Sequence, residues 1–155
     1  MGYYVKTTKV DFRIPAAKIP DAFHVLKKLN GPEFDHLKTG GSWSGGKQTK
    51  KWYAWMPEDY HLTCKSVKEI FEELGFQDSD EDGLGFKLGT YDNKWGAEGV
   101  FLQAVAKFAM DGVIDWTGED GSMWRNRFDN GVMTTVNMGY DSSYDEDEED
   151  GEDND

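Results

Sequence analysis

The chain has 155 residues, 14% of them aromatic, with 17 lysines and arginines against 30 aspartates and glutamates and a formal net charge of −13. That aromatic content supplies a compact core and is too high for a wholly disordered chain. A single cysteine, Cys64, excludes an internal disulfide framework and a cysteine-only zinc site, and no apolar run approaches the ~18–20 residues of a spanning helix.

Taken in chain order, Val10, Phe12 and Ile14 alternate with polar neighbours from Thr8 onward and predict a strand stopped by Pro15. Pro20 suits a first helical turn, and Ala22, Val25, Leu26 and Leu29 give a buried stripe that Asn30-Gly31-Pro32 ends. A second helix starts at the Ser66/Glu69 capping box, carries Val67, Ile70, Phe71 and Leu74 inward, and closes on Gly75 with Phe76 folded back. A short strand is expected near Phe86–Leu88. A third helix is expected from Glu98 to Met110, with Phe101, Leu102, Val105, Phe108 and Ala109 inward. The remainder predicts a three-stranded meander: Val113–Thr117, Met123–Phe128 after the Gly118–Gly121 turn, and Val132–Met138 after a hairpin at Asn130-Gly131. The expected fold is one α+β domain over residues 1–140, an antiparallel sheet packed by about three helices.

Four segments carry candidate chemistry. Residues 38–55 contain Lys38, Lys47, Lys50 and Lys51 without an acid, beside Trp43, Trp52, Tyr53 and Trp55. Lysines neutralise phosphates and aromatic rings stack on bases, so Lys38, Trp43, Lys47, Lys50, Lys51 and Trp52 are candidates for single-stranded nucleic acid. The competing reading is a glycine-rich loop leading into a strand whose Trp52 or Tyr53 packs in the core. Gly41–Lys47 also matches seven positions of a phosphate-binding P-loop, but the eighth is Gln48, not Ser or Thr, and no helix is expected next. In the second segment, Asp78, Asp80 and Asp82 with Gly83 follow the alternating oxygen pattern of a calcium loop. Gly89 stands where the bidentate glutamate belongs, which leaves a solvated acidic turn as the alternative. No other cofactor is expected.

In the third, Glu119 and Asp120 lie opposite Arg125 and Arg127 on a hairpin with Trp116 and Trp124. This is either an interaction surface or a set of cross-strand ion pairs on a solvent face. The fourth is catalysis. His24, His36 and His61 show no metal spacing; Cys64, three residues after His61, is the one conceivable nucleophile and is more simply read as a packed side chain.

The run Gly112-Val113-Ile114-Asp115-Trp116-Thr117-Gly118-Glu119-Asp120, followed by a strand and an Asp-Asn-Gly turn, resembles the C-terminal hairpin of small uncharacterised phage and bacterial accessory proteins. Some of these carry a W-x-x-W-like segment comparable to Trp52–Trp55. The resemblance covers about a third of the chain, implies a phage or mobile-element accessory protein, and transfers no functional residue.

Residues 141–155 hold ten acids, Asp145, Glu146, Asp147, Glu148, Glu149 and Asp150 among them, and no base; without those ten charges the domain stands at −3. Such a run cannot bury enough apolar surface to order itself, so a disordered polyanion is expected. The expected function is non-enzymatic: a cytoplasmic binding protein that engages a nucleic-acid-processing or host factor by protein–protein interaction, its acidic tail competing electrostatically for a basic groove. The alternative is a single-stranded nucleic-acid-binding protein using residues 38–55, with the tail as regulator. No membrane partner is expected; the N-terminus lacks the basic and apolar regions of a signal peptide.

Overall fold

A computed structural model describes residues 3–54 and 56–140, without the side chains of residues 43, 44, 48, 49 and 140. Ten strands run antiparallel among the described residues and form three sheets in one α+β domain. The alternating N-terminal segment forms β1 (Tyr4–Asp11) and β2 (Arg13–Pro15), which separate at Phe12. Phe12 is buried with its ring 4.8 Å from Phe128, and its carbonyl accepts the Leu88 N–H. The chain thus passes from one sheet to another at a buried anchor.

Helix α1 (Ile19–Lys28) buries Ala22 and Leu26. Its exposed carbonyl ends are met by side chains: Tyr60 Oη donates to Leu26 O (2.6 Å) and Tyr53 Oη to Leu29 O (2.8 Å). Burial pushes the Tyr53 hydroxyl up to about 12 and the Tyr60 hydroxyl higher still, so both remain donors. Tyr53 follows the hairpin of β3 (Gly40–Ser44) and β4 (Lys47–Trp52), and Tyr60 opens the short helix α2 (Tyr60–Thr63). The hairpin turns on Gly45 and Gly46, both at positive φ (60° and 81°), a turn that glycine adopts without strain.

Helix α3 (Val67–Leu74) follows its sequence signals. Ser66 Oγ accepts the Glu69 N–H, Glu69 Oε1 reaches back to the Lys65 N–H, and Gly75 ends the helix at φ 117°. Its buried stripe is Val67, Ile70, Phe71 and Leu74. Strand β6 (Gly85–Lys87) pairs with β2 on one side and β5 (Asp80–Asp82) on the other, while β7 (Asp92–Lys94) pairs with β1. Helix α4 (Glu98–Val105) is shorter than the expected helix to Met110. A 3-10 turn over Ala106–Phe108 follows, and the Met110 N–H bonds the Arg13 carbonyl, which redirects the chain into β8 (Gly112–Gly118).

Strands β9 (Ser122–Asp129) and β10 (Val132–Tyr140) complete the main sheet in the order β10-β9-β8-β1-β7. Asn130 (φ 53°) and Gly131 (φ 80°) make the hairpin turn expected of Asn-Gly. One sheet face carries Val5, Ile114, Trp116 and Phe128 into the core, where α4 packs on β10 and α1 packs on α2, α3 and α4. The other face carries Asp115, Arg125 and exposed Arg127, the solvated side usual for an antiparallel sheet.

Candidate functional site

The site begins at the W-x-G-E-D turn. Trp116 and Trp124 are register partners on β8 and β9, and their rings lie parallel within 7° with centroids 6.3 Å apart. Trp95, just after β7, stands at 75° to both, 5.9 Å from Trp116 and 5.7 Å from Trp124. Trp116 is buried and donates its indole N–H to Asn126 Oδ1 (2.8 Å); Asn126 Nδ2 donates to Thr135 Oγ1 (3.1 Å). That chain of bonds crosses β8, β9 and β10, satisfying the buried amide and fixing the rings.

The turn itself holds the N-terminal strand. Tyr3 Oη donates to Asp120 Oδ1 (2.5 Å), the Tyr4 N–H donates to Glu119 Oε1 (2.5 Å), and the Glu119 N–H donates to Tyr4 O (2.9 Å). Gly118 makes room: a Cβ there would lie 1.8 Å from the Tyr3 hydroxyl oxygen. The Tyr3 carbonyl accepts the Trp95 N–H (2.7 Å), so one segment positions both Tyr3 and Trp95. The result is a cleft of about 370 Å³ walled by Tyr3, Trp95, Trp116 and Trp124, with Asn126 and Thr135 also lining it.

Gly99 and Met133, at the cleft's edge, also line a second and larger hollow of about 790 Å³. Its other walls are Val25, Lys28 and Leu29, Phe34 and Leu37 of the 3-10 segment Pro32–Leu37, and Val100, Gln103 and Ala104 of α4. Its lining is predominantly aliphatic and aromatic, and its size falls in the range of small-ligand and peptide pockets. The two hollows thus adjoin at Gly99 and Met133, one lined by aromatic and the other mainly by aliphatic side chains.

The sequence candidates distribute as follows. Glu119 and Asp120 are bound to Tyr4 and Tyr3, not to the arginines, and so hold the N-terminal segment whose Tyr3 ring lines the aromatic cleft. Arg125 instead makes a two-pronged pair with Asp115 (2.6 and 3.0 Å) on the opposite sheet face, the cross-strand ion pair of the simpler reading. Its guanidinium holds the Asp115 carboxyl below the usual carboxylate range. Arg127 is exposed on that same face. Lys38 is turned inward, its side chain 4% exposed and its ammonium bound to Asn30 O and Asp35 Oδ1 (both 2.9 Å), which closes the Pro32–Leu37 segment.

Lys47 and Lys50 are exposed on the β3–β4 hairpin, Lys50 lying 3.3 Å from Glu58, and Lys51 and Trp52 are half-buried. Trp52 lies against Gly40, where a Cβ would come within 2.5 Å of the indole nitrogen. The Trp43 side chain, Trp55 and Asp145, Glu146, Asp147, Glu148, Glu149 and Asp150 lie outside the described residues. Lys47 opens strand β4 where a P-loop requires a helix.

Asp80 and Asp82 sit on strand β5, not in a calcium loop. Asp82 Oδ1 accepts the Leu84 N–H in the β5–β6 turn, and Asp78 adopts φ 65° before the strand. Among the described residues no three His, Cys, Asp or Glu side chains converge as a metal-ligand set. Cys64 is buried, and burial with Glu73 and Glu69 nearby pushes its thiol up to about 11, opposite to the activation a nucleophile needs. His61 is engaged elsewhere, its Nδ1 lying 2.7 Å from Asn30 Nδ2. Sequence reading missed Tyr3, Trp95, Asn126 and Thr135. The register of Trp116 with Trp124 across a short turn was the available signal.

Fold and site together define a class: a single α+β domain with an aromatic cleft adjoining an aliphatic hollow. Comparison with protein-family models, curated proteins and solved structures finds no match to this chain. Among the described residues no helix is long and apolar enough to cross a membrane.

Proposed function

We propose that the protein is a non-enzymatic binding module that seats an apolar segment of a protein partner in the groove beside α4. The observation that carries this reading is the 790 Å³ hollow between α1, the Pro32–Leu37 segment, α4 and Met133. A hollow of this size lined by aliphatic side chains gains affinity by desolvating an inserted apolar anchor. The ten carboxylates of residues 141–155 give such a module long-range attraction for a basic partner, such as a nucleic-acid-processing enzyme. The phage or mobile-element origin implied by the 112–131 hairpin is part of the same proposal.

Ala104→Glu places a carboxylate in the hollow on a half-buried helical position. In affinity capture from the source cell, the partner retained by the wild type is expected to be lost with this variant at unchanged melting temperature. Equal retention sinks the groove as the docking site. A second reading has its own observation: β3 and β4 form a separate two-stranded sheet carrying exposed Lys47 and Lys50 beside Trp52. If that hairpin is a single-stranded nucleic-acid arm, short oligonucleotides quench tryptophan emission and Lys47→Glu with Lys50→Glu abolishes the quench.

A further inference from the structure

We propose that the cleft between Tyr3, Trp95 and Trp124 binds an organic cation, a quaternary ammonium or guanidinium group, against its aromatic faces. Trp95 is 42% exposed despite its size, so a large aromatic surface is left open. Trp95 and Trp124 meet edge to face at 75° and line the cleft together with Tyr3, so three aromatic side chains bound it. That arrangement attracts a diffuse cation.

Charge points the same way. No basic side chain lines the cleft, and Asp120 is fixed at its edge through the Tyr3 hydroxyl. The Tyr3 hydroxyl and the Ser122 N–H hold the Asp120 carboxyl below its ordinary range, so it stays charged. Other rings here already carry a lysine: Lys27 over Phe23 (4.2 Å), Lys94 over Tyr4 (5.8 Å) and Lys107 over Phe108 (5.3 Å). Among the described residues no lysine or arginine lies over Trp95 or Trp124. The cation is therefore to be supplied from outside, either as a small quaternary amine or as an arginine side chain of a partner.

This inference stands apart from the aliphatic hollow and survives if that reading fails. Its test is tryptophan fluorescence of the full chain titrated at constant ionic strength with tetramethylammonium, N-acetyl-arginine amide and tert-butanol, the last a neutral molecule of similar shape. At least one cation is expected to saturate, with tert-butanol about tenfold weaker or worse. Whichever of the two cations binds more tightly identifies the source, small amine or arginine. Trp95→Ala is expected to remove the saturable change, and Trp95→Phe, which keeps a ring in the core contact, to weaken it. Asp120→Asn, which keeps an acceptor for Tyr3, is expected to weaken binding about two- to fivefold. Equal binding of tert-butanol, unchanged binding in Trp95→Ala, or no saturation with either cation overturns the proposal.

Discussion

Glu98 is a buried acid with no ion-pair partner among the described residues. It is 0% exposed at the first position of α4; Oε1 accepts the Gly96 N–H (2.6 Å), while Oε2 has no hydrogen-bond partner. Burial pushes its carboxyl above the usual carboxylate range. The folded protein therefore keeps this proton at pH values where the unfolded chain has released it. Its contribution to stability is full below the unfolded value of ~4.3 and falls as pH rises toward the folded-state value. Glu98→Gln cannot ionise and keeps the acceptor for Gly96. Thermal melts of the two proteins should converge near pH 4 and separate toward pH 7, with the glutamine variant the more stable there. Parallel curves across that range would refute the assignment. Asp115 acts in the opposite sense: its pKa is lowered by Arg125, so its contribution is lost only as pH falls through that depressed value.

At the scale of elements, α3 shows where local chemistry alone is decisive. Ser66 caps its first turn, Glu69 completes the box and Gly75 terminates it, so an eight-residue helix is bounded at both ends by side chains visible in sequence. Ser66→Ala should lower stability by about 1 kcal/mol, read as a shift in urea midpoint at constant slope; no shift would mean that packing of Phe71 and Leu74 sets the helix start. The Asn130-Gly131 hairpin and the stripe of α1 were legible for the same local reason. Strands β5 and β7 were not, because Asp80–Asp82 and Asp92–Lys94 are short, polar and at sheet edges, with no alternation to read. On β10 the more apolar residues, Val132, Val136 and Met138, point away from the helices, while Met133 and Thr135 face the groove. Alternation located that strand without revealing which face mattered. The aromatic cleft was hidden because its walls come from positions 3, 95, 116 and 124, brought together by the pairing of β1 with β7 and β8 and of β8 with β9.

The whole molecule has a charge asymmetry, with ten of its thirty acids in the last fifteen residues, and the topology fixes where that segment departs. Strand β10 pairs Asn137 with Trp124 and Tyr140 with Ser122, so residue 141 follows directly from the sheet end that carries the W-x-G-E-D turn and the Trp95–Trp124 cleft. The ten carboxylates of residues 141–155 are expected to raise the local concentration of cations at the cleft through their charge. Such an effect is confined to about a Debye length, ~10 Å at 0.1 M salt and ~3 Å at 1 M. Deleting residues 141–155 is therefore expected to weaken tetramethylammonium binding about two- to fivefold at low ionic strength and to leave it unchanged near 1 M salt. The melting temperature of the shortened chain should match the full chain at high salt, since the segment carries no aliphatic side chain to bury. An affinity loss that persists undiminished at high salt would mean that the segment contacts the ligand directly. Equal affinity at low salt would mean that the segment exerts no field at the cleft, leaving Asp120 and the indole faces to account for cation selectivity by themselves.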